Sequence, residues 1–427
     1  MSNKMKEKNM KSELKDGLVP KLRFPEFRDA DSWRIKQFGE LLTESRNPSE
    51  NSDPKRRITV KLHMQGVEHR EYRGTESLNS VNNFIRKAGQ FVYGKQNIHK
   101  GAFGIIPQHL DGFETSQDLP AFDFAENCSP QWFCSYISSE QVYSSLEEKM
   151  SGTGSKRLNE KIFLELPIAA PSENEQQKIA DCLFFIDELI ALETQKFNTF
   201  KSHQKGLMQK LLPAEGETLP KLRLPEFRDA AEWELQRIED RAKRGSGHTP
   251  DKKKPGYYNG GIKWVSLADS NKLDKGYLYS TKIEISKEGL KNSSAVLYPA
   301  GTVIVSRDAG VGKSAIIYSD MAVSQHFMAW ICDKSKFSNW FLYYSLQKLK
   351  PVFERVAVGS TIKTIGLPYF KELCISIPSI VEQQKIADCL FSIDELVTAQ
   401  AEKIDMLKTQ KKGLMQKLFP AIDEVNR

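Results

Sequence analysis

Two stretches of the chain carry apolar residues at steps of three and four, apart from two steps of seven in each. In the first, Ile179, Leu183, Ile186, Ile190, Phe197, Phe200, Leu207 and Leu211 fall in line; in the second, Ile386, Leu390, Ile393, Val397, Ile404, Leu407, Leu414 and Leu418 do. So narrow a seam suits one long helix pairing with another. Ser172 stands three residues before Glu175, and Ser379 three before Glu382, the capping-box spacing of a helix start. Pro171 and Pro378 precede these boxes, and Pro213 and Pro420 follow the last seam residues, so both ends are marked. The pattern predicts a first helix over residues 174–212, about 58 Å long at roughly 1.5 Å per residue.

The two stretches are copies. EQQKIADCLFFIDELI at 175–190 returns 207 residues later as EQQKIADCLFSIDELV, identical at fourteen of sixteen positions. KGLMQKLLP at 205–213 keeps that offset against KGLMQKLFP at 412–420, and VPKLRFPEFRDA at 19–30 recurs as LPKLRLPEFRDA at 219–230. Two equivalent helices in one chain can close on each other, antiparallel, about a pseudo-twofold axis. The alternative is two helices buried separately in independent domains. Gly206 and Gly413 sit inside the helices, where each costs about 1 kcal/mol relative to Ala. Either close helix approach offsets that cost or the glycines are tolerated near fraying ends.

Between the copies the halves share almost nothing, and the helical period gives way to short β-favouring runs. GQFVYG (89–94), FGIIP (103–107), GTVIVS (301–306), SAIIYS (314–319) and HFMAWI (326–331) are separated by turn residues. Helical pieces are predicted at 131–150 and 338–353. The fold class is therefore α/β (α+β): two mixed, strand-rich globules joined by two long helices that pair as an antiparallel coiled coil. The expected boundaries are a flexible tail at 1–18, a first globule at 19–170, the central helix at 171–213, a second globule at 214–377 and a C-terminal helix at 378–427.

The chain has 427 residues, 62 basic and 55 acidic, for a formal charge of +7. That balance permits nucleic-acid binding without demanding it. Six scattered cysteines provide neither a disulfide framework nor a zinc spacing. There is no leader-like apolar segment and no run long enough to span a bilayer, so a cytoplasmic protein is expected.

Basic and polar residues mix with aromatics in both diverged segments. The first gathers Lys55, Arg56, Arg57, Lys61, His63, Arg70, Tyr72 and Arg73, then Lys95, Gln96, Asn97 and Lys100. The second gathers Arg244, His248, Lys252, Lys253, Tyr257, Tyr258 and Asn259, then Arg307, Lys313, Gln325, His326 and Lys363. Lys and Arg contact phosphates, while Arg, Asn, Gln and His read base edges.

Several motifs fail on inspection. Residues 310–314 read GVGKS, yet Arg307 occupies the position where a phosphate loop needs its first glycine, and the strand-like SAIIYS follows where a helix is required. A tight turn between two strands is the better reading. No cluster of histidines or cysteines has metal-ligand spacing, no GxSxG elbow occurs, and the aromatic-terminated Asn-Pro-Pro or Asp-Pro-Pro tetrapeptide of an amino-methyltransferase is absent. No catalytic residues and no metal are expected.

Taken together, these motifs resemble the specificity subunit of a type I restriction-modification system. The likeness rests on the paired PEFRDA segments followed by Trp33 and Trp233 and on Gly359-Ser360-Thr361 ahead of ELCISIP. It rests further on GSGHTP (245–250) with YYNGGIKWVS (257–266), and on the twice-present helix start and end. The first half lacks a GSGHTP-like loop, and Ser151-Gly152-Thr153-Gly154 stands where the second has Gly359-Ser360-Thr361, which suggests a different recognition-domain subtype. The resemblance implies a non-catalytic subunit in which each globule reads half of a bipartite double-stranded DNA target. The seam residues Ile179, Leu183, Ile186, Ile190, Leu207, Leu211, Ile386, Leu390, Ile393, Val397, Leu414 and Leu418 would then serve helix pairing and subunit docking. It also implies two methyltransferase (M) subunits that bind S-adenosylmethionine and methylate adenine N6, and restriction/motor (R) subunits using ATP and Mg. This chain itself would hold no cofactor and touch no membrane. A coiled-coil adaptor with two protein- or glycan-binding globules remains the alternative from the residues alone.

Overall fold

The structure, a computed structural model, describes residues 18–72, 74, 83–152 and 154–420. They form two compact units, one within Met1–Thr194 plus Lys403–Arg427 and the other Gln195–Glu402. Helices α2 (Glu173–Leu211) and α4 (Ile380–Leu418) have 39 residues each. Each unit therefore contains the first half of one long helix and the second half of the other.

Within the first unit Asp187 pairs with Lys411 and Glu193 with Lys403, both at 2.5 Å, so the helix halves run antiparallel. Within the second, Asp394 accepts a hydrogen bond from Gln204 while Leu211 and Leu212 join Ile386 and Leu390 in one apolar cluster. Asp394 and Lys411 are the repeat equivalents of Asp187 and Gln204, so both pairings use one register. These pairings rule out separate burial. The seam serves two purposes. Ile179 and Leu183 sit in the first unit's core with Met415, Leu418 and Phe419, whereas Ile186, Ile190, Leu207, Val397 and Leu414 are half-buried. Ile393 is buried as well.

One expectation about these helices needs correction, and one open choice between two readings narrows. The Ser379 hydroxyl accepts from the Glu382 N–H at 3.3 Å, but the reciprocal half of the capping box is not made. Instead the Glu382 carboxylate accepts two bonds from Arg223, at 2.9 and 2.8 Å, and one from the Trp233 indole at 3.2 Å. Glu175 accepts from Arg23 at 2.8 and 2.7 Å in the same way. A charged, two-pronged guanidinium outcompetes a backbone N–H for a carboxylate. Arg23 and Arg223 also donate to the carbonyls of Ala30, Asp31, Ala230 and Ala231, which binds each PEFRDA segment to the start of a long helix. The open choice concerns Gly206 and Gly413. A Cβ at either would meet nothing within 4 Å, so close helix approach does not explain them.

The diverged segments have one sheet order in common, each in its own sheet. In the first unit β1 (Arg34–Gln37) pairs with β6 (Pro167–Ala170), and β2 (Leu42–Ser45), β5 (Ala121–Phe124), β3 (Phe91–Tyr93) and β4 (Phe103–Ile105) lie in that order. In the second, β7 (Glu234–Arg237) pairs with β12 (Cys374–Ile377). There β8 (Ala242–Ser246), β11 (Phe327–Cys332), β9 (Val303–Ser306) and β10 (Ser314–Ile317) repeat the order, with Tyr277–Leu278 added at the edge. Registers match as well: Phe122 lies between Glu44 and Phe91, as Trp330 lies between Arg244 and Val303. The predicted strand runs are thus strands, and all four residues of β9 and of β10 are buried, as continuous apolar runs demand. The predicted helix at 131–150 is broken into α1 (Pro130–Ile137) and shorter turns; that at 338–353 becomes α3 (Asn339–Lys348) and a second short helix. Gln176 and Gln383, both buried, close the cores alike: each accepts the N-cap N–H of α1 or α3, from Ser129 or Ser338, at 2.9 Å.

Candidate nucleic-acid interface

The antiparallel registers Ser246↔Met328, Ser306↔Phe327 and Val305↔Ser314 bring the ends of β8 and β9 and the starts of β10 and β11 to one end of the second unit's sheet. The loops there carry His248, Gln325, His326, Arg307 and Lys313, residues separated by up to 78 positions in sequence. Gln325 accepts from the Thr249 hydroxyl at 2.5 Å, and Arg307 N–H donates to the His326 carbonyl at 2.9 Å. Asp308 is the hub. One of its oxygens lies 2.7 Å from His326 Nδ1, and the other accepts from the Thr364 hydroxyl. The Ile365 N–H donates to the Arg307 carbonyl at 2.9 Å, which brings the exposed Lys363 to the same end.

The GVGKS segment is the predicted turn between β9 and β10, with Ala309, Gly310 and Gly312 at positive φ. Its Lys313 ammonium donates to the Ser270 carbonyl at 3.1 Å and hydroxyl at 3.2 Å. Lys252, Lys253 and Asn259 are exposed on the adjoining segment, and the Trp264 indole, on the strand Tyr258–Val265, donates to the His248 carbonyl at 3.2 Å. Tyr258 donates its hydroxyl to the Pro250 carbonyl at 2.7 Å. Two candidates are not presented to solvent as expected. Tyr257 is buried beneath Lys254, and Arg244, opposite Trp330 in mid-strand, is paired with Glu239 at 2.9 Å.

In the first unit the equivalent end carries Lys95, Gln96, Asn97 and Lys100, directly after β3. Leu158 N–H donates to the Lys95 carbonyl at 2.9 Å, the counterpart of Ile365 and Arg307. The arm holding the other candidates is pinned here, because the His63 and Met64 N–H groups donate to the Lys100 and Gly101 carbonyls at 2.8 and 2.9 Å. Lys55, Arg56, Lys61, His63, Arg70 and Tyr72 are exposed along it. Arg57 and Lys95 are more enclosed: they pair with Glu114 at 3.4 Å and Glu160 at 2.6 Å. Arg73 lies outside the described residues.

One supporting residue escaped sequence reasoning. Arg86 is 2% exposed and donates to the Thr115 hydroxyl at 2.7 Å and to the Ser45 and Leu119 carbonyls at 2.6 and 3.3 Å. Burial pushes its pKa down to about 10. It ties together two loops at this end of the sheet, and no local pattern marks it among its neighbours. The histidines, cysteines and acidic residues form no metal-holding group among the described residues, and no described helix is long and apolar enough to cross a membrane.

Two sheets of one topology, each presenting basic and amide-bearing loops at the same end and both bound to a shared helix pair, define a duplicated recognition subunit. The chain belongs to the family described as the type I restriction modification DNA specificity domain, whose profile matches residues 33–201 and 230–409. It is similar to the type I restriction enzyme MjaIX specificity subunit of Methanocaldococcus jannaschii, 29% identical over 180 residues, or 42% of this chain and 41% of that one. The MjaVIII specificity subunit of the same organism is 24% identical over 288 residues, 65% of this chain and 66% of the relative. The chain thus spans between two-fifths and two-thirds of these relatives' lengths. A solved chain, described under complex assembly and conformational transition of the type I R-M system, shares the fold with a TM-score of 0.59. It is 19% identical, over 91% of this chain and 98% of that one.

Proposed function

We propose that each unit reads one half of a bipartite, asymmetric duplex DNA target and that the paired helices fix the gap between the half-sites. The observation that carries this reading is the contrast between constant scaffold and variable loops: one sheet order and one helix register, with unrelated residues at the equivalent loop ends. Each unit lies in the major groove, where the four base pairs are distinguishable. Exposed lysines such as Lys55, Lys61, Lys100, Lys252, Lys253 and Lys363 set affinity and salt sensitivity, each phosphate contact adding about −0.9 to the slope of log K against log salt. No group in this chain performs chemistry. Two methyltransferase subunits carrying S-adenosylmethionine dock on the helices, where Phe185, Leu189, Leu192 and Leu396 stand exposed, and methylate adenine N6. Restriction subunits using ATP and Mg complete the assembly, in the cytoplasm.

The helices act as a ruler. One helical turn adds about 5.4 Å, between one and two base pairs at about 3.4 Å each. Inserting one turn between Glu193 and Phe200, with a matching turn between Gln400 and Leu407, should lengthen the unspecified spacer by one or two bases. Long-read mapping of methylated adenine in cells with the partner subunit provides the measurement. An unchanged spacer would sink the ruler.

A further inference from the structure

Both units carry the same small hairpin beside the reading loops. In the second it spans 358–364, closed by Val358 N–H to Thr364 O at 3.0 Å and Thr364 N–H to Val358 O at 2.9 Å. In the first Ser151 and Arg157 close it, with Ser151 N–H to Arg157 O at 3.1 Å and Arg157 N–H to Ser151 O at 2.9 Å. Gly359 and Gly152 hold matching conformations, φ +126° and +137°. An added Cβ would come within 2.2 Å of the Ile362 carbonyl oxygen in one and 2.8 Å of the Ser155 carbonyl oxygen in the other. These contacts make Ile362 the counterpart of Ser155, and Lys363 the counterpart of Lys156. The frame, the glycine and the lysine are constant; the residue before the lysine is not.

What differs is exposed. Ile362 is 60% exposed, an aliphatic side chain on a polar, basic end of the molecule, and Ser155 is exposed at the same place. Neither is needed for the hairpin's own closure, which is backbone. The second hairpin is also held from beneath, because its Thr364 hydroxyl donates to Asp308. A large apolar side chain held out on a rigid turn beside a lysine is built to touch something apolar within reach of a phosphate. On duplex DNA that is the methyl group of thymine, the main apolar feature of the major groove. A serine in that place offers a hydroxyl to either a base donor or acceptor.

Resting on the reading that each unit binds a DNA half-site, we propose that this hairpin is a base-reading element in both units. Ile362 and Ser155 are its specificity-determining residues, and Lys363 and Lys156 anchor it to phosphate. Ile362 contacts a thymine methyl.

The test is the full-length chain produced with its methyltransferase subunit in cells otherwise free of adenine methylation, read by long-read sequencing. Ile362→Ser should relax the thymine preference at one position of one half-site by roughly fourfold, the discrimination that one buried methyl group supplies. The other half-site and the spacer should not change. Ser155→Ile should alter one position of the other half-site. If both variants methylate the parent motif with unaltered base preference, the inference is overturned while the bipartite reading stands. If the parent chain gives no bipartite motif, the underlying reading fails instead. Should a variant methylate nothing, binding of its complex to duplexes differing at each base decides: weakening confined to one position supports the proposal, and uniform weakening overturns it.

Discussion

Replacing Glu382 with alanine isolates the contact that binds a PEFRDA segment to a long helix. The Glu382 side chain is 1% exposed and Arg223 12%, so the pair is held away from water at both ends. Alanine leaves the guanidinium with its two carbonyl partners, Ala230 and Ala231, and no counter-charge, and it leaves the Trp233 indole N–H unpaired. Removing one member of a buried pair costs about 3–5 kcal/mol. With a urea dependence of about 2 kcal/mol per molar, the second unit's midpoint should fall by roughly 2 M. Glu175→Ala should cost the first unit about 1 kcal/mol less, because the Trp33 indole makes no bond there to lose. The joint change Arg223→Met with Glu382→Met should cost only about 1 kcal/mol, the loss of the Trp233 indole's acceptor, since an apolar pair leaves no buried charge uncompensated. Urea titrations followed by tryptophan fluorescence provide the comparison. A Glu382→Ala loss below about 1 kcal/mol, or a double variant as unstable as the single, would refute this account of the clamp.

Three further outcomes follow from the scaffold. Burial raises the Asp394 pKa above the ordinary carboxylate value, despite hydrogen bonds from Tyr344 and Gln204 that favour the charged form. The folded state therefore holds this proton more firmly than the unfolded chain, and stability falls as pH rises from the ordinary carboxylate range through the raised value. Asp394→Asn should melt higher than the parent at neutral pH, with the gap closing in acid; a constant gap would contradict the assignment. Gly206→Ala and Gly413→Ala should each add about 1 kcal/mol in chemical denaturation, because the new methyl meets open space. A loss at either site would mean that the position is crowded. The lengthened helix pair described above should shift the spacer while leaving both half-site sequences intact.

The helices were legible because a period of three to four over ten turns, bracketed by proline, has few rival readings; the observed starts and stops lie within a residue of those expected for α2. The sheet strands were legible where β-branched and aromatic runs are continuous, as in GTVIVS and HFMAWI. What local pattern could not show was competition. Glu175 and Glu382 sit at capping-box spacing, but each has an arginine from more than 150 positions away in three dimensions, and the charged partner prevails. Helical propensity likewise marked 131–150 as one piece, where the chain in fact turns after Ile137. The candidate interface was half legible. Residue type nominated His248, Arg307, Gln325, His326 and Lys363, which the strand order gathers at one end of a sheet, whereas the equivalence of Lys95 with Arg307 depends on backbone bonds that no alignment of such diverged segments supplies. Tyr257 and Arg244 matched the expected chemistry, yet they are turned inward or paired. Asp308 was overlooked because an acidic residue does not suggest a nucleic-acid contact, although it is the group that orders the loops around His326 and Thr364.

The central claim is that two independent readers share one frame. It is tested most directly by exchanging residues 31–170 for those of a related chain and mapping methylated adenines genome-wide. One half-site should change to a new sequence while the other half-site and the spacer stay as they were; a change in both half-sites, or in neither, would contradict the account.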